Sequence, residues 1–237
     1  MTAAVAIICK APIVGRSKTR MIPFMGAEAA ARLAGAFLSD VADVIQRASQ
    51  AYALQGVAVY APEGTESALQ AYLPADFRLL CRQDENLGQV LHSASQQLFA
   101  DGHAPVILVN ADSPTLPPGR IIDALALLAA DGDRLVLGPA IDGGYYLIGL
   151  KRPVREVFTD IPWSTPETLA RTRDRAREIG LPVVELAKWY DVDDAETLAL
   201  LTAELSGVRP HFSLSTDPQP AAAATRKLLE EIGKGAV

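Results

Sequence analysis

Two rhythms of apolar residues alternate along this chain. Ala3–Cys9, Gly56–Ala61, Phe77–Cys81 and Pro105–Asn110 are short apolar or mixed runs that read as strands; the first reads as buried, and the last has the continuous character of a central parallel strand. Between them, apolar residues recur at helical spacing. The longest such segment is Ala27–Ser49, with Leu33, Phe37, Val41, Val44 and Ile45 on one face; Gly64–Leu73 and Leu87–Ala100 follow. Pro117 and Pro118 then open a helix over Gly119–Ala130, since proline suits a first turn. Past that point the rhythm changes. The strands Arg134–Gly138 and Tyr145–Leu150 are joined by residues 139–144 alone, too short a link for a helical crossover. They either pair antiparallel or occupy different parts of the sheet. A helix at Thr165–Ile179, a strand at Pro182–Leu186 and a helix at Asp194–Leu205 complete the pattern. The expected fold is α/β: a three-layer α/β/α sandwich whose mainly parallel sheet holds a local antiparallel strand.

Residues 1–206 read as one domain and 207–237 as a C-terminal extension. His211–Pro220 is Ser/Pro-rich and aperiodic, and Ala221–Ile232 is expected to be helical, docking either on the domain or on a neighbouring subunit. Homo-oligomerisation is left open on the same ground.

Composition narrows the partners. Of the 237 residues, 49% are hydrophobic and 21% charged, ordinary for a soluble globular protein. A net charge of −6 argues against a nucleic-acid surface. No apolar run approaches the ~20 residues of a membrane span, and no signal-like N-terminus is evident, so a cytoplasmic, membrane-free protein is expected. Cys9 and Cys81 read as reduced core thiols.

Against that acidic background, residues 10–20 are a local exception. Lys10-Ala11-Pro12-Ile13-Val14-Gly15-Arg16-Ser17-Lys18-Thr19-Arg20 places four cations directly after the first strand. Like charges held that close repel unless a polyanion neutralises them, and Gly15 lets backbone N–H groups approach an oxyanion. A phosphate-binding loop is expected, with Lys18 and Arg20 as its best ligands, Lys10 next and Arg16 solvated; the alternative is a solvated basic loop. The loop is neither a Walker A sequence nor a dinucleotide fingerprint.

Ligands of open α/β sheets bind beyond the carboxyl ends of the strands, so the other candidates are sought there. Asp112, after the central strand and pinned by prolines, either holds a divalent cation or caps a turn. Asp191-Val192-Asp193-Asp194 crowds three carboxylates; Asp194 is read as the cap of the following helix, Asp193 as the second metal ligand and Asp191 as standing behind it, the alternative being a plain acidic helix start. Asp142, Gly143, Gly144 and Tyr145 either meet an acceptor or sugar or form a plain hairpin turn. Trp163 offers a stacking surface or fills a core edge. Gln83 and Asn86 could read a nucleobase, although Asn86 could equally cap a helix. His92, His103 and His211 lie outside these loops and are read as surface or packing residues.

In order and number these pieces resemble the nucleotide-diphospho-sugar transferase superfamily with its GT-A-like fold. The closer resemblance is to the transferases named for association with radical-SAM and selenium-domain genes. It rests on Lys10-Ala11-Pro12, Gly15, Lys18-Thr19-Arg20, Asn86-Leu87-Gly88, Ala111-Asp112-Ser113-Pro114, Gly138-Pro139-Ala140, Asp142 through Gly149, Ile161 through Thr165, and Asp191-Val192-Asp193. More distantly, the chain is similar to 2-phospholactate guanylyltransferase and molybdenum-cofactor guanylyltransferases. The resemblance implies nucleotide phosphates on the first loop, carried here by Lys18 and Arg20; Lys10, Ala11, Pro12 and Gly15 complete that loop, and Gln83, Asn86 and Gly88 are the remaining candidates for the nucleotide site. It further implies Mg²⁺ (or Mn²⁺) on Asp112 and Asp193; together with the reading of the loops, Lys18, Asp112 and Asp142 are the candidates to carry the chemistry. Gln89 stands where an arginine is expected, and Asp194 where a threonine is. The partners so implied are a nucleotide and a small-molecule acceptor. The expected reaction is nucleotidyl transfer from a nucleoside triphosphate to a phosphorylated acceptor with release of pyrophosphate; the alternative is glycosyl transfer from a nucleotide-diphospho-sugar.

Overall fold

A computed structural model describes residues 1–235. In chain order its strands are β1 (Ala3–Lys10), β2 (Leu54–Ala61), β3 (Arg78–Cys81), β4 (Val106–Asn110), β5 (Leu135–Pro139), β6 (Tyr145–Leu150) and β7 (Val183–Glu185). Its helices are α1 (Ile22–Met25), α2 (Ala27–Ala48), α3 (Glu66–Gln70), α4 (Leu87–Ala100), α5 (Pro118–Ala129), α6 (Thr168–Glu178), α7 (Ala195–Leu205) and α8 (Ala223–Gly235). The strands form one sheet in the order β3-β2-β1-β4-β6-β5-β7.

Burial on both faces explains the apolar runs. In β1, Ala4, Val5, Ala6 and Ile7 are wholly buried, as are Val106 and Ile107 in β4. One face carries Val5, Ile7, Ile107 and Val109 with Leu33, Phe37, Val41, Val44 and Ile45 of α2, and α5, α7 and α8 join this layer. The opposite face carries Ala4, Ala6, Leu108 and Ile148 with Leu91 and Leu98 of α4 and Leu169 and Ala176 of α6. These are the three expected layers.

β6 is the local reversal: it runs antiparallel to both β4 and β5. A register shift at Gly138/Pro139 lets Tyr146 and Leu147 face the same core. Because β6 runs backwards, its first residue lies at the edge where β1, β4, β5 and β7 end. The loops after residues 10, 110, 139 and 185 are thereby collected at one place.

Boundaries moved where local chemistry outweighed periodicity. The helix expected over Gly64–Leu73 contracts to α3, where Leu69 is the buried side chain. The helix expected from Thr165 starts at Thr168, because the Thr165 hydroxyl bonds back to Pro162 O and turns the chain there. A short 3-10 turn (Thr19–Met21) leading into α1 has no periodic signal and was not expected. The tail packs on its own domain: Asp40 of α2 accepts from Ala224 N and Thr225 N, each at 2.9 Å. Among the described residues no helix is long and apolar enough to cross a membrane.

Candidate active site at the strand ends

The loop after β1 is closed by its own serine. Ser17, 6% exposed, donates from Oγ to Ala11 O at 3.0 Å and accepts from Ile13 N at 2.9 Å. Ile13 O in turn accepts from Arg16 N and Ser17 N. Sequence reading passed over Ser17; its signal is the habit of serine hydroxyls to close turns beside Gly and Pro. The loop ends with Lys18 in left-handed backbone geometry, φ 47° and ψ 47°. That conformation costs a lysine about 1 kcal/mol and sends its side chain inward.

The Lys18 ammonium is saturated. Its Nζ lies 2.8 Å from Asp112 Oδ1 and 2.8 Å from Asp193 Oδ1, and it donates to Val192 O at 2.6 Å. The side chain is 6% exposed, against 37% for Asp112 and 44% for Asp193. Burial alone would lower the lysine pKa, but the two carboxylates together outweigh it and hold the ammonium firmly protonated. Without that cation, two carboxylates ~5 Å apart would repel by about 3 kcal/mol at an effective dielectric of ~20.

Lys18, Asp112 and Asp193 therefore meet in one cluster, and the sequence reading is modified in one respect. Lys18 faces carboxylates, whereas Lys10, Arg16 and Arg20 lie exposed on the rim. Arg20 Nη1 stands 4.0 Å from Asp193 Oδ2 with its side chain 73% exposed. Ala11 is buried in the loop, while Pro12 and Gly15 form its outer part.

Hydrogen bonds hold the acidic loops together. Val192 N donates to Asp112 O at 2.9 Å, and Ser113 Oγ donates to Tyr190 O at 2.7 Å. Asp191 stands among the carboxylates. Burial, followed by the charges of Asp142, Asp193 and Asp112, pushes its carboxyl up to about 7. Asp194 caps α7 through Thr197 N at 2.9 Å, and the Thr197 hydroxyl accepts from Asp194 N, a reciprocal capping box. The expected role of Asp194 is thus met.

Asp142 stands close enough to Asp191 for its charge to act on that carboxyl, and it accepts from Gly144 N of its own loop at 2.8 Å. Gly143 is obligatory: its φ is +91°, and a Cβ there would stand 2.2 Å from Pro166 O. Its carbonyl accepts from Leu169 N, so the Gly-Gly pair ties the loop to α6. Tyr145 meets Trp163 edge-on at 6.3 Å, and Trp163 covers Gly88, where a Cβ would fall 2.7 Å from its indole nitrogen. Gly88 and Trp163 thus pack on each other. Asn86 caps α4 through Gln89 N at 3.1 Å, and Gln83 is exposed after β3. Strands lie about 4.8 Å apart, which puts the end of β3 roughly 10 Å from that of β1.

The donor set suits a hard divalent cation in a limited way. Among the described residues no three His, Cys, Asp or Glu side chains form a metal-holding group. Mg²⁺, however, takes one or two carboxylates and fills its remaining positions with phosphate oxygens and water. Asp112 and Asp193 have partly exposed oxygens of that kind.

A family model described as an uncharacterized protein conserved in bacteria (DUF2064) matches residues 44–165, a stretch that includes Asp112 and Asp142 and leaves Lys18 and Asp193 outside. No curated protein matches the chain. Among solved structures, a provisionally named nucleotide-diphospho-sugar transferase from Desulfovibrio desulfuricans G20 has a TM-score of 0.81 at 26% identity, covering 99% of this chain and 98% of its own. A CMP:2-keto-3-deoxy-manno-octonic acid synthetase complexed with CTP has a TM-score of 0.57 at 14% identity, covering 87% and 99%. A cytidylyltransferase from Leptospira borgpetersenii serovar Hardjo-bovis has a TM-score of 0.56 at 12% identity, covering 100% and 95%. The expected superfamily and its GT-A-like architecture are thereby borne out.

Proposed function

The chain belongs to that bacterial family of uncharacterized proteins, and from its strand-end cluster we propose a transferase that moves a nucleotidyl group from a nucleoside triphosphate to a small phosphorylated acceptor. One observation carries this reading: Lys18, Asp112 and Asp193 form a single compact cluster beneath a rim of exposed cations, Lys10, Arg16 and Arg20. A triphosphate brings more negative charge than one buried lysine could meet, and the rim matches that excess. The chain's nearness in fold to a CTP-complexed synthetase supports a nucleotide as ligand.

The reaction needs no protein nucleophile. An acceptor phosphate oxygen attacks the α-phosphorus, the bond to the bridging oxygen breaks, and pyrophosphate departs with that electron pair. The chain's part is to orient two anions and to stabilise the charge that moves onto the leaving group. Arg20 and Lys10 would hold the outer phosphates, Ser17 would keep the loop in shape, and Lys18 would neutralise Asp112 and Asp193 until a metal ion takes its place. Those two carboxylates would hold Mg²⁺ or Mn²⁺, which when bound supplies charge neutralisation at the phosphate oxygens. Asp142, Gly143, Gly144, Tyr145 and Trp163 would form the acceptor wall.

Glycosyl transfer is the second reading, favoured by the name of the Desulfovibrio structure. There a nucleoside diphosphate leaves, and Asp142 would serve as acceptor-side base. Product analysis separates the two: pyrophosphate from a nucleoside-triphosphate panel, or nucleoside diphosphate from sugar nucleotides, each with Mg²⁺ or Mn²⁺. Sugar-nucleotide turnover without pyrophosphate formation would overturn the nucleotidyl assignment. Asp112→Asn is expected to abolish metal-dependent turnover in a protein with an unchanged circular-dichroism spectrum. Full activity in that variant would remove Asp112 from the site.

A further inference from the structure

The loop that carries Asp191 and Asp193 is gripped from behind by the C-terminal segment. Trp189 and Tyr190 anchor the loop at 1% and 0% exposure. Trp189 N donates to Pro139 O, and the Tyr190 hydroxyl donates to Glu204 at 2.6 Å. Phe212, from the tail, packs against both rings at 5.8 Å. The Arg120 guanidinium of α5 lies 5.9 Å over the Trp189 ring. Arg120 is held by a tail residue, Asp217, at 2.8 Å, with the two side chains 4% and 6% exposed. Asp217 also accepts from Leu214 N, which closes the tail's own turn. The cavity left there, lined by Trp189, Glu204, Ser213 and Asp217 among others, has a volume of about 10 Å³, no more than one water needs.

We propose that Asp217, acting through Arg120 and Trp189, is a positioning residue for the loop of Asp191 and Asp193. A buried guanidinium must keep a carboxylate partner, and here that partner belongs to the tail. Once Asp217 is neutralised, Arg120 has reason to leave the Trp189 face for water. The loop then loses its back support, while the contacts at its front, Val192 N to Asp112 O and Tyr190 O to Ser113, remain. The tail is in this way a part of the strand-end site, although its own residues lie on the far side of Trp189. The structural claim stands independently; the consequence for a metal ion rests on the proposed function.

The test is hydrogen–deuterium exchange on the full chain, comparing the amides of residues 186–194 with those of β1. Asp217→Asn is expected to speed exchange over 186–194, the Trp189 amide bonded to Pro139 O above all, by roughly tenfold more than over β1, whose exchange follows the global loss of stability alone; Asp217→Glu restores protection. Equal speeding of β1, or no change at 186–194, overturns the proposal, since either result leaves Asp217 with general stabilisation alone. Should Asp217→Asn not fold, Arg120→Met with Asp217→Leu removes the pair without leaving a buried charge; exchange over 186–194 faster than over β1 is expected there too, and unchanged exchange overturns the proposal. A Mn²⁺ titration followed by electron paramagnetic resonance gives a second readout, in which folded Asp217→Asn is expected to bind about tenfold more weakly than wild type. Wild-type protein that binds no Mn²⁺ would sink the metal reading, while the exchange experiment still decides the positioning role.

Discussion

Lys18 gives one ammonium to three oxygens, and a divalent cation would need two of the same groups. On the proposed reading the two cations would therefore compete for Asp112 and Asp193. Lys18→Met is expected to tighten Mn²⁺ binding to the nucleotide-free protein by roughly tenfold, ~1.4 kcal/mol, measured by calorimetry. Unaltered or weaker binding would mean that the metal does not use these carboxylates. Arg20, largely in solvent, is expected to act on the nucleotide instead. Arg20→Ala should raise the dissociation constant of a nucleoside triphosphate about tenfold, as loss of one charge-assisted hydrogen bond predicts, and equal affinities would clear it of that role. The cationic loop was legible because four like charges in eleven residues demand explanation. The pairing of Lys18 was not, since its partner Val192 lies 174 positions further along.

At the level of elements, capping chemistry was readable and short turns were not. Asp194 stands before an apolar helical pattern with Thr197 three residues on, a signature that local sequence contains in full. Asp194→Ala is expected to cost about 1 kcal/mol and to lower the melting temperature by roughly 2–4 °C, whereas Asp194→Asn should keep most of the cap. Equal melting of wild type and Asp194→Ala would show the box to be idle. The 3-10 turn and α1 escaped notice because their shape follows from the Lys18 backbone and from packing of Met21 into the core, neither of which has a period.

The tail, α5, α7 and the acidic loop act as one body at the scale of the whole molecule. Glu204 of α7, 5% exposed, illustrates the linkage to pH. Burial raises its carboxyl above the ordinary 4.5, so the folded state holds that proton more tightly than the unfolded chain does. Its contribution to stability is complete below 4.5 and is lost as pH rises through the elevated value. Glu204→Gln is expected to flatten that part of the melting-temperature profile; an unchanged slope would assign it to other groups. Arg120 and Asp217 make a second case. Removing either partner alone is expected to cost about 3–5 kcal/mol in chemical denaturation, whereas Arg120→Met with Asp217→Leu together should recover most of it. A double variant as unstable as the single ones would contradict the account. Periodicity, turn chemistry and local charge are properties of neighbouring residues, so sequence by itself determined the layered α/β architecture, most element positions, the Asp194 cap and the loops that carry charge. The antiparallel placement of β6, the engagement of Lys18 by Asp112 and Asp193, and the grip of the tail on Trp189 depend on groups brought together from distant parts of the chain. Only the tertiary structure could decide those, because burial and the distance between charges set their energies, and neither exists until the chain has folded.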